Sequence, residues 1–377
     1  MAGLYIHIPF CESRCIYCDF FSTVNSGMHD RYVGALCREY EMRKHEILPQ
    51  RASWDTIYIG GGTPSTLSTE HLRQLFATVA DDIDPSTKEI TIECNPDDIT
   101  AQYANELAQL PINRVSMGAQ TFDDNRLAFL HRRHSSAQIA QAVGNLKRAG
   151  FSNISIDLMY GFPEETIDDF KRDIDKALLL DVPHISAYCL MYEEGTPLYR
   201  MLEQNKIMET PEETERKMYE ALIDTMRHSG YEHYEISNFA CDGYRSQHNS
   251  SYWNLTPYLG IGAAAHSFDG KTTRSSNPPH LIIYIEALER GILPTDRELL
   301  SPTESLNDYT MLRLRTAEGI DLDEMEARFG HEMRIKAEHT ARQFLSSSLL
   351  AQDGNRLHLT RQGVFVSNMV MAEFMIV

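Results

Sequence analysis

Short runs rich in β-branched and aromatic residues alternate with longer amphipathic stretches over the first two thirds of the chain. Residues 4–8, 56–59, 89–93, 114–117, 154–158 and 184–189 read as strands. Between them, Leu72, Leu75, Phe76 and Val79 recur at helical spacing behind Ser68, which predicts an N-capped helix. Ile167, Phe170, Ile174 and Leu178 do the same behind Thr166. A third helical pattern opens Thr210-Pro211, with proline at the first helical position, and carries Met218, Leu222 and Met226.

Strand–helix units in series predict parallel strands joined by right-handed crossovers, in a doubly wound sheet or a barrel. The polar and glycine motifs choose between the two. Residues 11–18 follow the first strand and Gly60-Gly61-Gly62-Thr63 the second. Glu93 and Asn95 end the third, Gln120 the fourth, Asp157 and Tyr160 the fifth, and Tyr188 the sixth. Motifs after every strand converge on one mouth, as in a barrel; an open sheet gathers its contacts at one switch point. The expectation is an α/β fold, a partial (β/α)6 TIM-like barrel with a small α-rich C-terminal domain.

Beyond Ala240 the pattern changes. Residues 241–253 are polar and contain a histidine, and 260–265 are small. Residues 275–279 read as a surface loop and 291–302 as a linker. The remainder carries helical patterns and a hairpin-like end at 356–359 and 364–366. This divides the chain into a barrel domain with its extension, residues 1–294, and a C-terminal α-rich domain, residues 295–377.

A length of 377 residues supports a large core plus an appended unit. The net charge of −19 argues against nonspecific nucleic-acid binding, and only local spots such as Arg132, Arg133 and His134 break the acidic background. No apolar run reaches spanning length, so membrane contact is expected to be peripheral at most. The N-terminal residues show no basic segment followed by an apolar one, as a secretory signal would. Seven cysteines, three of them clustered, are not a disulfide framework. A cytoplasmic location is expected.

Cys11, Cys15 and Cys18 form a C-x3-C-x2-C cluster with charged Glu12 and Arg14 between them, which is not core composition. Three thiolates bind zinc if a fourth ligand joins, with His7 or Cys94 available for that role. They also hold three irons of a four-iron cluster, leaving the fourth open to a chelating amine and carboxylate. Cys37, Cys94 and Cys189 read as packing thiols. Other candidates have plainer readings too: the glycine run as a tight turn, Glu93 as a surface carboxylate, His248 as a satisfied loop histidine.

The cysteine spacing, with Tyr17 before the last cysteine, resembles the signature of the radical S-adenosylmethionine (SAM) superfamily. YIHIPFC, GGGTPS, ECNP, RVSMGAQTF, IDLMYGFP, HYEISNFA, HNSSYW and TMLRLRTAEGID follow in order over nearly the whole chain. Together they resemble the branch that holds the oxygen-independent coproporphyrinogen III oxidases and the related haem chaperones. The resemblance implies that Cys11, Cys15 and Cys18 ligate a [4Fe–4S] cluster whose unique iron binds the methionine part of SAM. Electron transfer into the sulfonium would then yield a 5′-deoxyadenosyl radical.

The resemblance further implies roles for nine residues. Gly61, Gly62 and Thr63 would meet the SAM amino group, Glu93 and Gln120 the ribose hydroxyls, and Arg132 the SAM carboxylate. Asp157 would sit beside the nucleoside, Tyr5 beside the cluster, and Tyr188 at the same mouth. The residue types suit these tasks. Glycine permits close backbone approach, a carboxylate and an amide suit a diol, and a guanidinium forks onto a carboxylate. The family tends to carry glycine where His131 and Ala264 stand, and at the first of these the roles of Arg132 and Arg133 can exchange.

Within the branch, three features resemble the chaperones. The oxidases carry an N-terminal extension, whereas here the motif begins at Tyr5. The oxidases continue past the third cysteine with C-x-C, whereas this chain reads Cys18-Asp19-Phe20. HNSSYW matches the HNxxxW stretch associated with haem binding, with His248 as axial ligand and Trp253 over a porphyrin face; His266 reads as structural. The expected protein binds SAM and carries haem as cargo to acceptor apoproteins, served by a reductant protein. One alternative is an oxidase that decarboxylates the propionates of coproporphyrinogen III to give protoporphyrinogen IX. Another is a zinc-stabilised, non-catalytic binding module.

Overall fold

The computed structural model describes residues 2–48 and 52–376. Six strands, β1 (Gly3–Ile8), β2 (Thr56–Gly61), β3 (Glu89–Cys94), β4 (Arg114–Gln120), β5 (Asn153–Tyr160) and β6 (His184–Cys189), lie side by side in chain order. All neighbours pair in parallel. Side chains alternate between the two faces of a strand, and the sequence uses that alternation. Ile6, Ile57, Ile92, Val115, Ile156 and Ile185 enter the main hydrophobic cluster on the helix-covered side. Tyr58, Glu93, Ser116, Asp157 and Tyr188, on the opposite parity, line a cavity inside the curved sheet. The strands are therefore apolar outside and polar inside, which places the chemistry within the barrel.

The expected helices form behind their caps. Ser68 accepts from the His71 amide ahead of helix Thr69–Val79, and Thr166 makes a capping box with Asp169 ahead of Ile167–Leu179. Pro211 is the N-cap of Glu212–His228 rather than its first helical residue.

The sheet has twelve strands, six more than the pattern predicted. β7 (Glu232–Glu235) and β8 (Asn238–Ala240) extend it antiparallel beyond β6. On the other side, β9 (Tyr258–Ile261) is a seventh parallel strand, next to β1, that runs into the start of the small-residue stretch. β10 (His266–Phe268), β11 (Thr273–Ser276) and β12 (Asp296–Leu299) continue antiparallel. So the stretches read as surface loop and linker each contribute a strand, and Asn277 is buried rather than exposed. The reason is polar and long-range. From helix His29–Ile47, the buried Glu39–Arg43 pair reaches across. Arg43 donates to the Gly260 carbonyl and to the hydroxyls of Ser267 and Ser275. Glu39 accepts from the Gly262 amide, Asn277 and Tyr284. These segments are polar because their partners are buried polar groups. The linear strand order runs from β12 to β7 without closing, so the barrel is partial.

Past β12, helices Pro302–Leu314, Leu322–Phe329, His331–Ser346 and Ser367–Phe374 surround a three-stranded sheet with a separate hydrophobic cluster. The hairpin differs from expectation. Arg356–Leu359 pairs with Leu350–Asp353, whereas Val364 ends the helix Arg361–Val364.

Candidate cofactor site

A cavity of about 790 Å³ opens at the carboxyl ends of the six parallel strands. The three clustered cysteines and all nine residues expected at SAM line it. The cysteine loop leaves β1 and returns to its own start: the Cys11 amide donates to the Thr23 carbonyl and the Thr23 amide to Pro9. Between the cysteines, Ile16 is buried in a small cluster with Leu130, Met159, Phe162, Leu190 and Leu198. That anchor turns the neighbouring thiols toward the cavity. The Thr63 hydroxyl lies 3.5 Å from the Cys11 sulfur, and Arg132 Nη1 lies 3.4 Å from the Cys15 sulfur. Burial pushes the Cys11 thiol up and the Cys18 thiol up to about 11. Both give up a proton on binding metal.

The glycines are there because backbone must come close. A Cβ at Gly62 would stand 2.8 Å from the Phe10 carbonyl oxygen and 3.0 Å from the Cys11 sulfur. Gly61, at φ 117°, would press a Cβ within 2.6 Å of the His7 ring. At Gly118 it would meet the Gln120 amide at 2.7 Å and Arg132 at 3.0 Å. Gln120 itself has φ 66°, just past a bulge in the β4–β5 register, and bulges re-aim side chains.

Glu93 is half-buried. One oxygen accepts from the Tyr58 hydroxyl at 2.7 Å and the other from the Gly61 amide at 3.0 Å. Burial, reinforced by Asp157, outweighs those bonds and pushes its carboxyl up to about 7. Burial also raises Asp157. The Phe21 carbonyl accepts from His7 Nε2, which leaves Nδ1 to accept from the Tyr5 hydroxyl at 2.9 Å. Both His7 nitrogens are thus bonded, which speaks against His7 as a fourth metal ligand.

The two arginines separate cleanly. Arg132 is held against Cys15, Asn95 and the Gly118 carbonyl. Arg133 sits in an ion-pair network with Glu12, Asp97 and Asp98. His131 has φ 60° and Ala264 φ 64°. The two departures from glycine fall at left-handed backbone, where glycine is the unstrained choice. His266 is exposed at the start of β10, opposite Ser276.

The two residues expected at haem do not share the cavity. His248 is 0 % exposed. Its Nδ1 is hydrogen-bonded to the Thr56 hydroxyl and its Nε2 to the Tyr252 hydroxyl, each at 2.9 Å. Neither nitrogen is free for a metal in this conformation. Trp253 is stacked under the Arg315 guanidinium at 4.9 Å, against the C-terminal helices.

Sequence reasoning left Tyr58, Asn249 and Tyr252 unassigned, yet all three line the cavity. Tyr58 had a signal, being at an inward position of β2. Asn249 and Tyr252 stand within HNSSYW, where only His248 and Trp253 were given a role. Their helix, Gln247–Trp253, docks because the distant Glu89 carboxylate accepts from the amides of Gln247 and His248.

A family model for the Radical SAM superfamily matches residues 5–177, and one for the HemN C-terminal domain matches residues 300–366. Fold and cysteine site together define a radical SAM protein, a class that implies a [4Fe–4S] cluster and SAM. Two heme chaperones named HemW are similar over the full length. That of Lactococcus lactis is 34% identical over 99% of this chain and 97% of its own. That of Bacillus subtilis is 34% identical over 100% and 99%. The chain belongs to the HemW family. Among solved structures, coproporphyrinogen III oxidase (HemN) from Escherichia coli shares the fold, with a TM-score of 0.83 at 20% identity, covering 99% of this chain and 89% of that one. No helix among the described residues is long and apolar enough to cross a membrane.

Proposed function

We propose that this protein binds haem and delivers it to acceptor apoproteins, using a SAM-binding [4Fe–4S] site for control. The observation that carries the reading is full-length similarity to two haem chaperones at 34% identity. The fit of the cavity supports it. Cys11, Cys15 and Cys18 would hold the cluster, with Gly62 keeping the backbone clear of the Cys11 sulfur and Tyr5 beside them. Glu93 and Gln120 would take the ribose hydroxyls, Gly61 to Thr63 the amino group, Arg132 the carboxylate, and Asp157 and Tyr188 the nucleoside end. When bound, cluster and SAM together supply one-electron reduction of a sulfonium. The chain's own part is to orient both and to keep the cysteine loop folded against β1 and β2.

The observed rotamer of His248 has both ring nitrogens hydrogen-bonded and so does not make the haem contact. The partition into residues 1–294 and 295–377 is likewise proposed. The separate C-terminal core and the HemN C-terminal match at 300–366 support it, while β12 stays with the large sheet. A cytoplasmic site, a reductant protein and peripheral membrane contact complete the proposal.

Cys18-Asp19-Phe20 in place of a further C-x-C favours the chaperone over the oxidase. An anaerobic assay with cluster-loaded protein, SAM, a reductant and coproporphyrinogen III separates the two. The expected result is stoichiometric haem binding without carbon dioxide release. Sustained conversion to protoporphyrinogen IX would overturn the chaperone reading.

A further inference from the structure

We infer that His248 is a positioning residue that fixes two tyrosines of the cavity wall, and that it is not an axial ligand of haem iron. The inference rests on the reading of the cavity as the SAM site. His248 is enclosed on every side. Its ring stacks on Tyr58 with centroids 5.1 Å apart and meets Tyr252 edge-on at 5.0 Å. Gly3 leaves room for it, since a Cβ there would lie 3.3 Å from His248 Cε1. Its backbone amide donates to Glu89 Oε1 at 3.1 Å. The side chain thus lies beneath the cavity floor while its neighbours, Asn249 and Tyr252, line the cavity itself.

The bonds give the ring a directional task. One nitrogen is tied to Thr56 at the start of β2 and the other holds the Tyr252 hydroxyl. The flat face supports Tyr58, whose hydroxyl donates to Glu93 at 2.7 Å. A neutral imidazole has one donor and one acceptor, matching two hydroxyls that each do both. Desolvation, with Arg114 nearby, lowers its basicity to about 3 and keeps it in that neutral form. Through Tyr58, the ring sets where the Glu93 carboxylate sits; through Tyr252, it sets the adjoining wall. Iron ligation would require breaking one of these bonds and opening a path through the core.

The test uses the full-length, cluster-loaded protein with two probes, SAM and ferric haem. Tyr252→Phe and Thr56→Val each delete one bond to the ring and keep its packing, and His248→Ala and His248→Gln remove or replace the ring. Expected are a haem Soret band and EPR spectrum in His248→Ala identical to wild type, and a SAM affinity lowered about tenfold. His248→Gln, which can still bond a hydroxyl, recovers part of that loss, and Tyr252→Phe weakens SAM severalfold. Loss of an imidazole-type haem spectrum in His248→Ala, with the spectrum kept in Tyr252→Phe and Thr56→Val, would overturn the inference. SAM affinity unchanged in both His248→Ala and Tyr252→Phe would overturn it as well. Should His248→Ala not fold, Tyr252→Phe and Thr56→Val decide: unaltered SAM affinity in both refutes it. Wild-type protein that takes up no SAM would sink the reading of the cavity itself.

Discussion

Burial and hydrogen bonding pull the Glu93 proton in opposite directions. Tyr58 and the Gly61 amide favour the carboxylate, while desolvation and Asp157 favour the acid and prevail, with Arg114 opposing them more weakly. The sign follows from the direction of the shift. A carboxyl at about 7 when folded, against 4.5 normally, keeps a proton that the unfolded chain releases. Its stabilising effect is complete below pH 4.5 and fades as pH rises to about 7. Glu93→Gln removes that dependence, so the stability of the variant relative to wild type should improve by about 2–3 kcal/mol between acid and neutral pH. Urea titrations across that range measure it; parallel curves would be inconsistent with the shift. In the role proposed for Glu93 at the ribose, the ionised carboxylate accepts from both hydroxyls, so wild-type SAM affinity should fall up to about tenfold per pH unit below 7, and the Gln variant should be flat. Gly62→Ala tests close approach at the same scale. A Cβ 2.8 Å from a backbone oxygen displaces the cysteine loop, and bound iron and sulfide should both drop.

Among the elements, the six parallel strands and their capped helices are legible because period and caps are local. The edge strands are not. β9 to β11 are tied together by Glu39 and Arg43, whose partners there lie more than two hundred residues away. Glu39→Ala would leave the buried Arg43 with only Glu46, at 3.4 Å and partly exposed, as counter-charge and should cost about 3 kcal/mol. Thermal unfolding checks this; a loss below about 1 kcal/mol would mean that water replaces the carboxylate. Ala264, at φ 64°, belongs to the same region. Ala264→Gly should gain about 1 kcal/mol by relieving left-handed strain, and a lower melting temperature would speak against that account.

Across the whole molecule, the C-terminal unit is stitched to the barrel by Arg315 on Glu235 and over Trp253, and by Arg361 on Asp224. Trp253 therefore belongs to the contact between the large sheet's extension and the C-terminal helices. The residues expected at metal and SAM could be gathered from the sequence because most stand at or just past a strand's carboxyl end, where alternation aims them inward; Arg132, after the helix Asp124–Phe129, comes from the resemblance instead. The surroundings of His248 and Trp253 were not legible, because Gly3, Thr56 and Arg315, which pack against them, lie far away in sequence.

In the proposed site, three cysteines hold a four-iron cluster with one iron open to SAM. EPR of the anaerobically reconstituted, reduced protein, recorded with and without SAM, addresses it most directly. The expected result is a [4Fe–4S]⁺ signal that SAM shifts, with loss of the signal in Cys15→Ala. A protein carrying zinc without sulfide, or a cluster signal indifferent to SAM, would contradict it.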